Sequence, residues 1–377
     1  MHLTVHKKDL ADILGRMRGI PIQKSMSNIL GHFLLEAVDG MLSITGMNYE
    51  VGIKLNVACD VQESGRAAVP AKKLIDLVGQ VSEGEITLKT KENDNWMHAT
   101  ANTFNGNIPM MDPDNLPALQ EVEEKTVVTL PEGTLLEIAD KCGFAISTDE
   151  SRPNLNGLYM KFSKISDPPI VDAVSTDGKR LSLVHRHVTA IDMSVEELGC
   201  LIHRRGIQEM KMFLKGELEN IRMVIDRKGV RLERPEGFLV IRQIEMDFPN
   251  YDLVVPKDFQ WNFRFSTSSL IEMVRRVSIF TSPENSMVIL RVQDGLLEVE
   301  AGDNEGGIAQ DHADISYSGE PIEMSYNYRY LLEALNVFSS TQEVEFRIKD
   351  NYAATMIVAA DDNDDVIELI MPIRRSV

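Results

Sequence analysis

Several residues are of types that could do chemistry, and each fails to assemble a catalytic set. His185 and His187 stand two apart in a segment of alternating polarity, so both side chains share one strand face. Such a pair can begin a metal site, but no third ligand follows at a suitable spacing. Cys142 falls on an apolar stripe, where a thiol packs rather than attacks. With Cys59 and Cys200 far away and no CxxC pair, a disulfide framework and a zinc cluster are both disfavoured. The run Asp361-Asp362-Asn363-Asp364-Asp365 has the carboxylates of a calcium loop but lacks Gly at the sixth position and Glu at the twelfth. It reads as an exposed hairpin turn. Gly302-Asp303-Asn304-Glu305-Gly306-Gly307 lacks the Lys-Ser/Thr of a phosphate loop. The expectation is a protein without catalytic residues, metal or cofactor.

The basic residues are more informative because the chain as a whole is acidic. Over 377 residues, 39 Lys and Arg face 58 Asp and Glu, a net charge of −19. An average of that sign argues against nucleic acid unless the cations are gathered on one side. They are gathered. Segment 7–24 carries Lys7, Lys8, Arg16, Arg18 and Lys24 against Asp9 and Asp12, and segment 201–215 carries Arg204, Arg205, Lys211 and Lys215 against Glu209. Both segments read as helical. The helical segments together are basic, and the remainder is more acidic than the whole. A mildly basic lining inside an acidic exterior could face phosphates without sequence preference, while the outside repels DNA. The lining is too weak for tight electrostatic binding, so retention on DNA needs another cause.

The elements that position these residues recur three times. Leu10, Ile13, Leu14 and Met17 form an apolar stripe at i, i+3, i+4 and i+7, the face of an amphipathic helix. The same spacing returns at Leu135, Ile138, Ala139 and Cys142, and again at Leu270, Met273, Val274 and Val277. A second helix follows in each copy, with stripes at Leu74, Leu77, Val78 and Val81, at Ile207, Met210 and Leu214, and at Leu331, Ala334, Leu335 and Phe338. Pro70 suits the first turn of the first of these. Lys211 interrupts the middle stripe. Period-two runs come afterwards: Ile86 and Leu88, then Ile221, Met223 and Ile225, then Val344, Phe346 and Ile348. Asp114-Asn115-Leu116-Pro117 and Asp247-Phe248-Pro249-Asn250 look like junctions, since proline disfavours continuing a regular element. The predicted fold is α+β, three tandem copies of a domain with two helices packed on antiparallel sheet, at 1–122, 126–251 and 256–377.

No apolar run reaches the roughly 18 residues that span a bilayer, and Met1-His2-Leu3-Thr4-Val5-His6-Lys7-Lys8 lacks the apolar block of a secretory signal. The expected setting is cytoplasmic, with no membrane partner.

Over essentially its whole length the chain resembles the bacterial DNA sliding clamp, the beta subunit of DNA polymerase III. The resemblance is carried by Asn28-Ile29-Leu30-Gly31, Ala37-Val38-Asp39-Gly40, Val69-Pro70-Ala71-Lys72-Lys73, Leu155-Asn156-Gly157 and Thr176-Asp177-Gly178-Lys179-Arg180-Leu181. Further on it is carried by Phe248-Pro249-Asn250-Tyr251, Tyr317-Ser318-Gly319, Tyr326-Asn327-Tyr328-Arg329-Tyr330-Leu331-Leu332 and Met371-Pro372-Ile373-Arg374. It implies a head-to-tail homodimer, a ring around duplex DNA whose hole is lined by helices and which tethers the polymerase and confers processivity. An ATP-driven clamp loader is implied to open it.

By the same resemblance Lys24, Lys72, Arg152, Arg204 and Arg205 face DNA, with Arg275 and Arg276 as weaker candidates. Where the family often has aromatic residues beside Arg152, Pro153 and Asn154 stand here, which weakens any stacking on single strands. A partner-peptide cleft is implied at Leu155, Thr176, Gly178, Lys179, Arg180, Leu181, Pro249, Leu253, Val254, Met371, Pro372, Ile373 and Arg374. The tail Arg375-Ser376-Val377 is longer and more basic than the family's. Phe104 and Ile108 are implied to meet Ile279 and Phe280 across the dimer. The rival expectation is an acidic protein-binding scaffold, or DNA mimic, that never encircles DNA.

Overall fold

The computed structural model describes residues 1–21, 29–91, 94–216, 219–282, 285–303, 307–361 and 365–374. Lys24, the tail 375–377 and most of the acidic run at 361–365 lie outside them.

Among the described residues six α-helices form where the stripes predict: α1 Lys7–Met17, α2 Ala71–Gln80, α3 Glu132–Cys142, α4 Arg204–Phe213, α5 Thr267–Ser278 and α6 Tyr328–Val337. All four stripe residues of α1, α3 and α5 are buried. α2 differs slightly. Pro70 is its N-cap at the end of strand Gly65–Pro70, and Val81 already has extended backbone as the C-cap. α5 and α6 start on side-chain caps, Ser266 accepting from the Ser269 N–H and Asn327 from the Arg329 N–H.

The chain divides into two compact units. The first comprises 1–136, 163–169 and 187–245. Its nine-stranded antiparallel sheet runs Ala190–Asp192, Thr126–Pro131, Asn220–Ile225, Gly229–Arg234, Gly237–Arg242, Val51–Ala58, Met41–Met47, His32–Val38, Gly65–Pro70. A five-stranded sheet ends on Phe104–Pro109. Within this unit α1 packs against α2 and α4. The buried Arg234 is held by Glu132 Oε1 at 3.2 Å, by the Phe213 carbonyl at 3.1 Å and by the Phe213 ring.

The second unit comprises 137–162, 170–186 and 246–377. Its larger sheet passes from Gly157–Ser163 through Ile170–Thr176, Arg180–His187, Val366–Ile370, Thr355–Ala359 and Glu343–Ile348 to Trp261–Ser266. A four-stranded sheet carries Gly307–Asp314 at one edge, and α5 packs against α6. The middle copy is therefore shared out. Gly157–Ser163, Ile170–Thr176 and Arg180–His187 lie in one sheet with strands of the third copy, while Thr126–Pro131, Ala190–Asp192, Asn220–Ile225, Gly229–Arg234 and Gly237–Arg242 continue the first copy's sheet. Compact units and sequence repeats divide the chain differently for this reason: a repeat marks where a pattern restarts, a unit marks what shares a core.

Candidate partner-binding cleft and DNA-facing residues

A hollow of about 210 Å³ opens in the second unit. Its position follows from the ladder between Arg180–His187 and Val366–Ile370, where Leu181 lies opposite Leu369. Both residues bury against Val174, Tyr251 and Met356 in one apolar cluster. The preceding turn is fixed by Asp177, whose Oδ1 accepts the Lys179 and Arg180 N–H groups at 2.8 and 3.1 Å. Gly178 sits there at φ +86°, and a Cβ on it would come within 2.9 Å of the Arg152 guanidinium. Only glycine fits that turn without strain.

Nine of the thirteen cleft residues expected from the sequence wall this hollow: Leu155, Thr176, Gly178, Lys179, Arg180, Leu181, Pro249, Val254 and Met371. Leu253 does not. It projects at 81 % exposure, outside the wall. Pro372, Ile373 and Arg374 continue past the rim, Ile373 donating its N–H to the Ser325 carbonyl at 2.7 Å and Arg374 lying 5.5 Å from the Tyr352 ring. Phe248, Asn250, Tyr251, Ala354 and Leu369 also line the hollow, and sequence reasoning missed them. Phe248, Asn250 and Tyr251 lie in the same Phe-Pro-Asn-Tyr junction as Pro249, so that signal was available. Phe248 stacks on Tyr159 at 5.0 Å, and the Tyr251 hydroxyl donates to Asp172 Oδ2 at 3.3 Å. Burial, with Asp172 beside it, pushes that phenol up, so it stays a neutral donor.

The two rim cations differ in kind. Arg180 is 11 % exposed and fully engaged: its guanidinium bonds Asp177, Glu333 and the Phe144 carbonyl and lies over the Phe144 and Tyr330 rings. It braces the wall. Lys179 is exposed and has no ion pair among the described residues. The hollow therefore offers apolar anchorage beside a positive charge that is unpaired among the described residues, which suits a short extended peptide.

The DNA-facing candidates are distributed less evenly. Arg204 is exposed at the start of α4 without an ion pair among the described residues, and Arg205 is half-buried beside it. Lys72, on α2, pairs with Asp76 at 3.3 Å. Arg152 bonds Asp149 at 2.9 Å and the Asp177 carbonyl at 3.1 Å. Arg275 reaches Asn336 at 3.4 Å, and Arg276 pairs with Asp311 and Glu272. Paired cations present less charge to a phosphate.

Of the four expected dimer residues, Phe104, Ile279 and Phe280 are exposed. Ile108 is not. It shares a strand face with Phe104 but lies opposite the fully buried Met97 in its own sheet and is 5 % exposed, whereas Phe104 stands at the strand's end. Ile308, unnoticed in the sequence, is 72 % exposed on the edge strand Gly307–Asp314. An isolated apolar residue gave no signal.

Two of the residues suspected of chemistry are otherwise occupied. Cys142 is buried, its thiol pushed far up by burial, and points to the Ala173 carbonyl. His185 bonds Asp172 through Nδ1 at 2.6 Å.

Two-helix copies on antiparallel sheet, three to a chain, with an apolar trough at a junction, define the class of three-domain clamp proteins. Models of the DNA polymerase III beta subunit match end to end: the N-terminal domain at 1–120, the central domain at 129–250 and the C-terminal domain at 252–374. The beta sliding clamp of Caulobacter vibrioides is 26% identical over 99% of this chain and 100% of its own, and that of Pseudomonas aeruginosa 24% over the same shares. The solved C. crescentus beta sliding clamp superposes with a TM-score of 0.93 at 26% identity, covering 100% of both chains. The Helicobacter pylori beta clamp, solved with a DNA ligase peptide bound, gives 0.88 at 22% identity, covering 99% of this chain and 100% of its own. The chain belongs to the DNA polymerase III beta subunit family, the bacterial DNA sliding clamps, which are non-catalytic processivity factors.

Proposed function

We propose that two copies close head to tail into a ring around duplex DNA, with the helices of three domains per copy, at 1–122, 126–251 and 256–377, lining the passage. The observation that carries this reading is a pair of sheet edges, one in each compact unit, flanked by exposed apolar side chains. Phe104 stands at the start of an edge strand of the five-stranded sheet, and Ile308 stands on an edge strand of the four-stranded sheet with Phe280 beside it. Uncovered edges recruit strands, and two unlike edges on one chain make a heterologous contact that either closes or grows into a fibre. Two copies of three domains close it.

Inside such a ring, Arg204, Arg205 and Lys72 meet phosphates loosely and read no bases, which permits sliding. Lys24 is proposed for the same role. The cleft holds linear peptides of partner proteins, the polymerase first among them, and tethering raises the polymerase's effective concentration at the primer end. The ligase peptide on the Helicobacter relative supports a peptide as occupant. A clamp loader opens one of the two interfaces, and the setting is cytoplasmic.

Light scattering on the purified chain tests the closure. The expected mass is twice that of one chain, falling to a single chain for Ile308→Asp. A wild-type chain that stays single at micromolar concentration contradicts the ring.

A further inference from the structure

A second hollow, of about 650 Å³, lies in the first unit, and its wall repeats the turn and ladder hydrogen bonds of the cleft. Where Asp177 Oδ1 accepts the N–H groups of Lys179 and Arg180, Asn48 Oδ1 accepts those of Glu50 and Val51, each at 2.9 Å. Where the Met371 N–H donates to the Lys179 carbonyl at 2.8 Å, the Arg242 N–H donates to the Glu50 carbonyl at 2.8 Å. The ladders share one register: Arg180 opposite Ile370 and Leu181 opposite Leu369 answer to Val51 opposite Ile241 and Gly52 opposite Val240. A single 3-10 turn with a buried leucine stands in each wall, Leu155 in one and Leu30 in the other.

One backbone built twice gives two troughs of one shape, so the side chains decide what each accepts. Glu50 replaces Lys179, reversing the charge at that rim position. Its side chain is 37 % exposed, its Oε2 is itself buried and accepts no hydrogen bond, and His203 Nδ1, which accepts the Arg205 N–H, lies 3.5 Å away. Glu245, also on the rim, has no ion pair among the described residues. The rim cations are Lys228 and Arg242, the latter bonded through Nε to Gln120 at 3.3 Å. On the floor, Gly52 replaces Leu181, and the junction's own Leu119 lies 2.5 Å from where a Cβ would be. The trough thus keeps an apolar floor and gains an under-neutralised carboxylate.

We propose that this hollow is a second peptide-docking site, taking an extended partner segment with an aliphatic anchor and a basic neighbour that reaches Glu50. The proposal rests on reading the cleft as a peptide site, and one titration separates the two. Acetyl-Lys-Ala-Leu-Leu-amide and acetyl-Glu-Ala-Leu-Leu-amide are titrated into the full chain by calorimetry, with stoichiometry read by native mass spectrometry. The lysine peptide is expected to bind the hollow, weakened about tenfold by Glu50→Lys, less by Glu50→Gln, and not by Met371→Glu. Lysine-peptide binding that is absent, or that ignores Glu50→Lys and responds to Met371→Glu, overturns the second site. The glutamate peptide is expected to depend on Met371 alone. If it binds and ignores Met371→Glu, the cleft reading has failed, whatever the lysine peptide does.

Discussion

Glu368 sits on the strand that lines the cleft, but its side chain turns away from the hollow into the core, where only 1 % of it is exposed. Ser182 Oγ donates to its Oε1 at 2.7 Å, and burial pushes its carboxyl well above the usual range. A carboxyl whose folded pKa is raised stabilises the fold below the unfolded value and loses that contribution as pH rises through the folded one. Glu368→Gln keeps an acceptor for Ser182 and removes the titration. Its melting temperature is therefore expected to exceed the wild type's at pH 8, with the gap closing by pH 4; an unchanged gap would mean Glu368 is not neutral when folded. Arg234 presents the opposite case, a buried ion pair with Glu132 in which both side chains are at most 5 % exposed. Arg234→Ala removes the cation paired with a buried carboxylate and should cost about 3–5 kcal/mol in urea unfolding. At the cleft, Met371→Glu is expected to weaken an aliphatic-anchored partner peptide about 10- to 100-fold while leaving the dimer intact, read by fluorescence anisotropy.

Helices and strands were unequally legible. The stripe of α5 predicts its burial because a 3.6-residue period reports on one helix alone, and Leu270→Ala should destabilise by about 2–5 kcal/mol in the same unfolding assay. The α4 stripe, interrupted by Lys211, hides the fact that Phe213 and Glu209 are buried there as well. Pairing partners were invisible. Period-two alternation says that Ile221, Met223 and Ile225 belong to a strand, but nothing in it says which sheet receives the middle copy's strands. The brace around Arg180 was equally hidden, since Phe144 and Tyr330 reach it from far along the chain. Leu253 was placed in the cleft by resemblance and lies outside its wall, because the 3-10 turn Tyr251–Leu253 buries Tyr251 and leaves its last residue outward.

The whole molecule combines a strongly acidic average with few cations that lack an ion pair among the described residues, Arg204 on α4 being one. Its grip on DNA cannot be electrostatic, because binding by so few phosphate contacts would vanish at moderate salt. In the proposed ring retention is topological: a closed ring leaves only where the DNA ends. The direct measurement loads the protein on nicked circular DNA, raises the salt, and follows the bound fraction by gel filtration before and after one restriction cut. The account predicts retention on the circle at high salt and escape within minutes of linearisation. Equal loss from circle and line would contradict it and leave an acidic scaffold that binds proteins without encircling DNA.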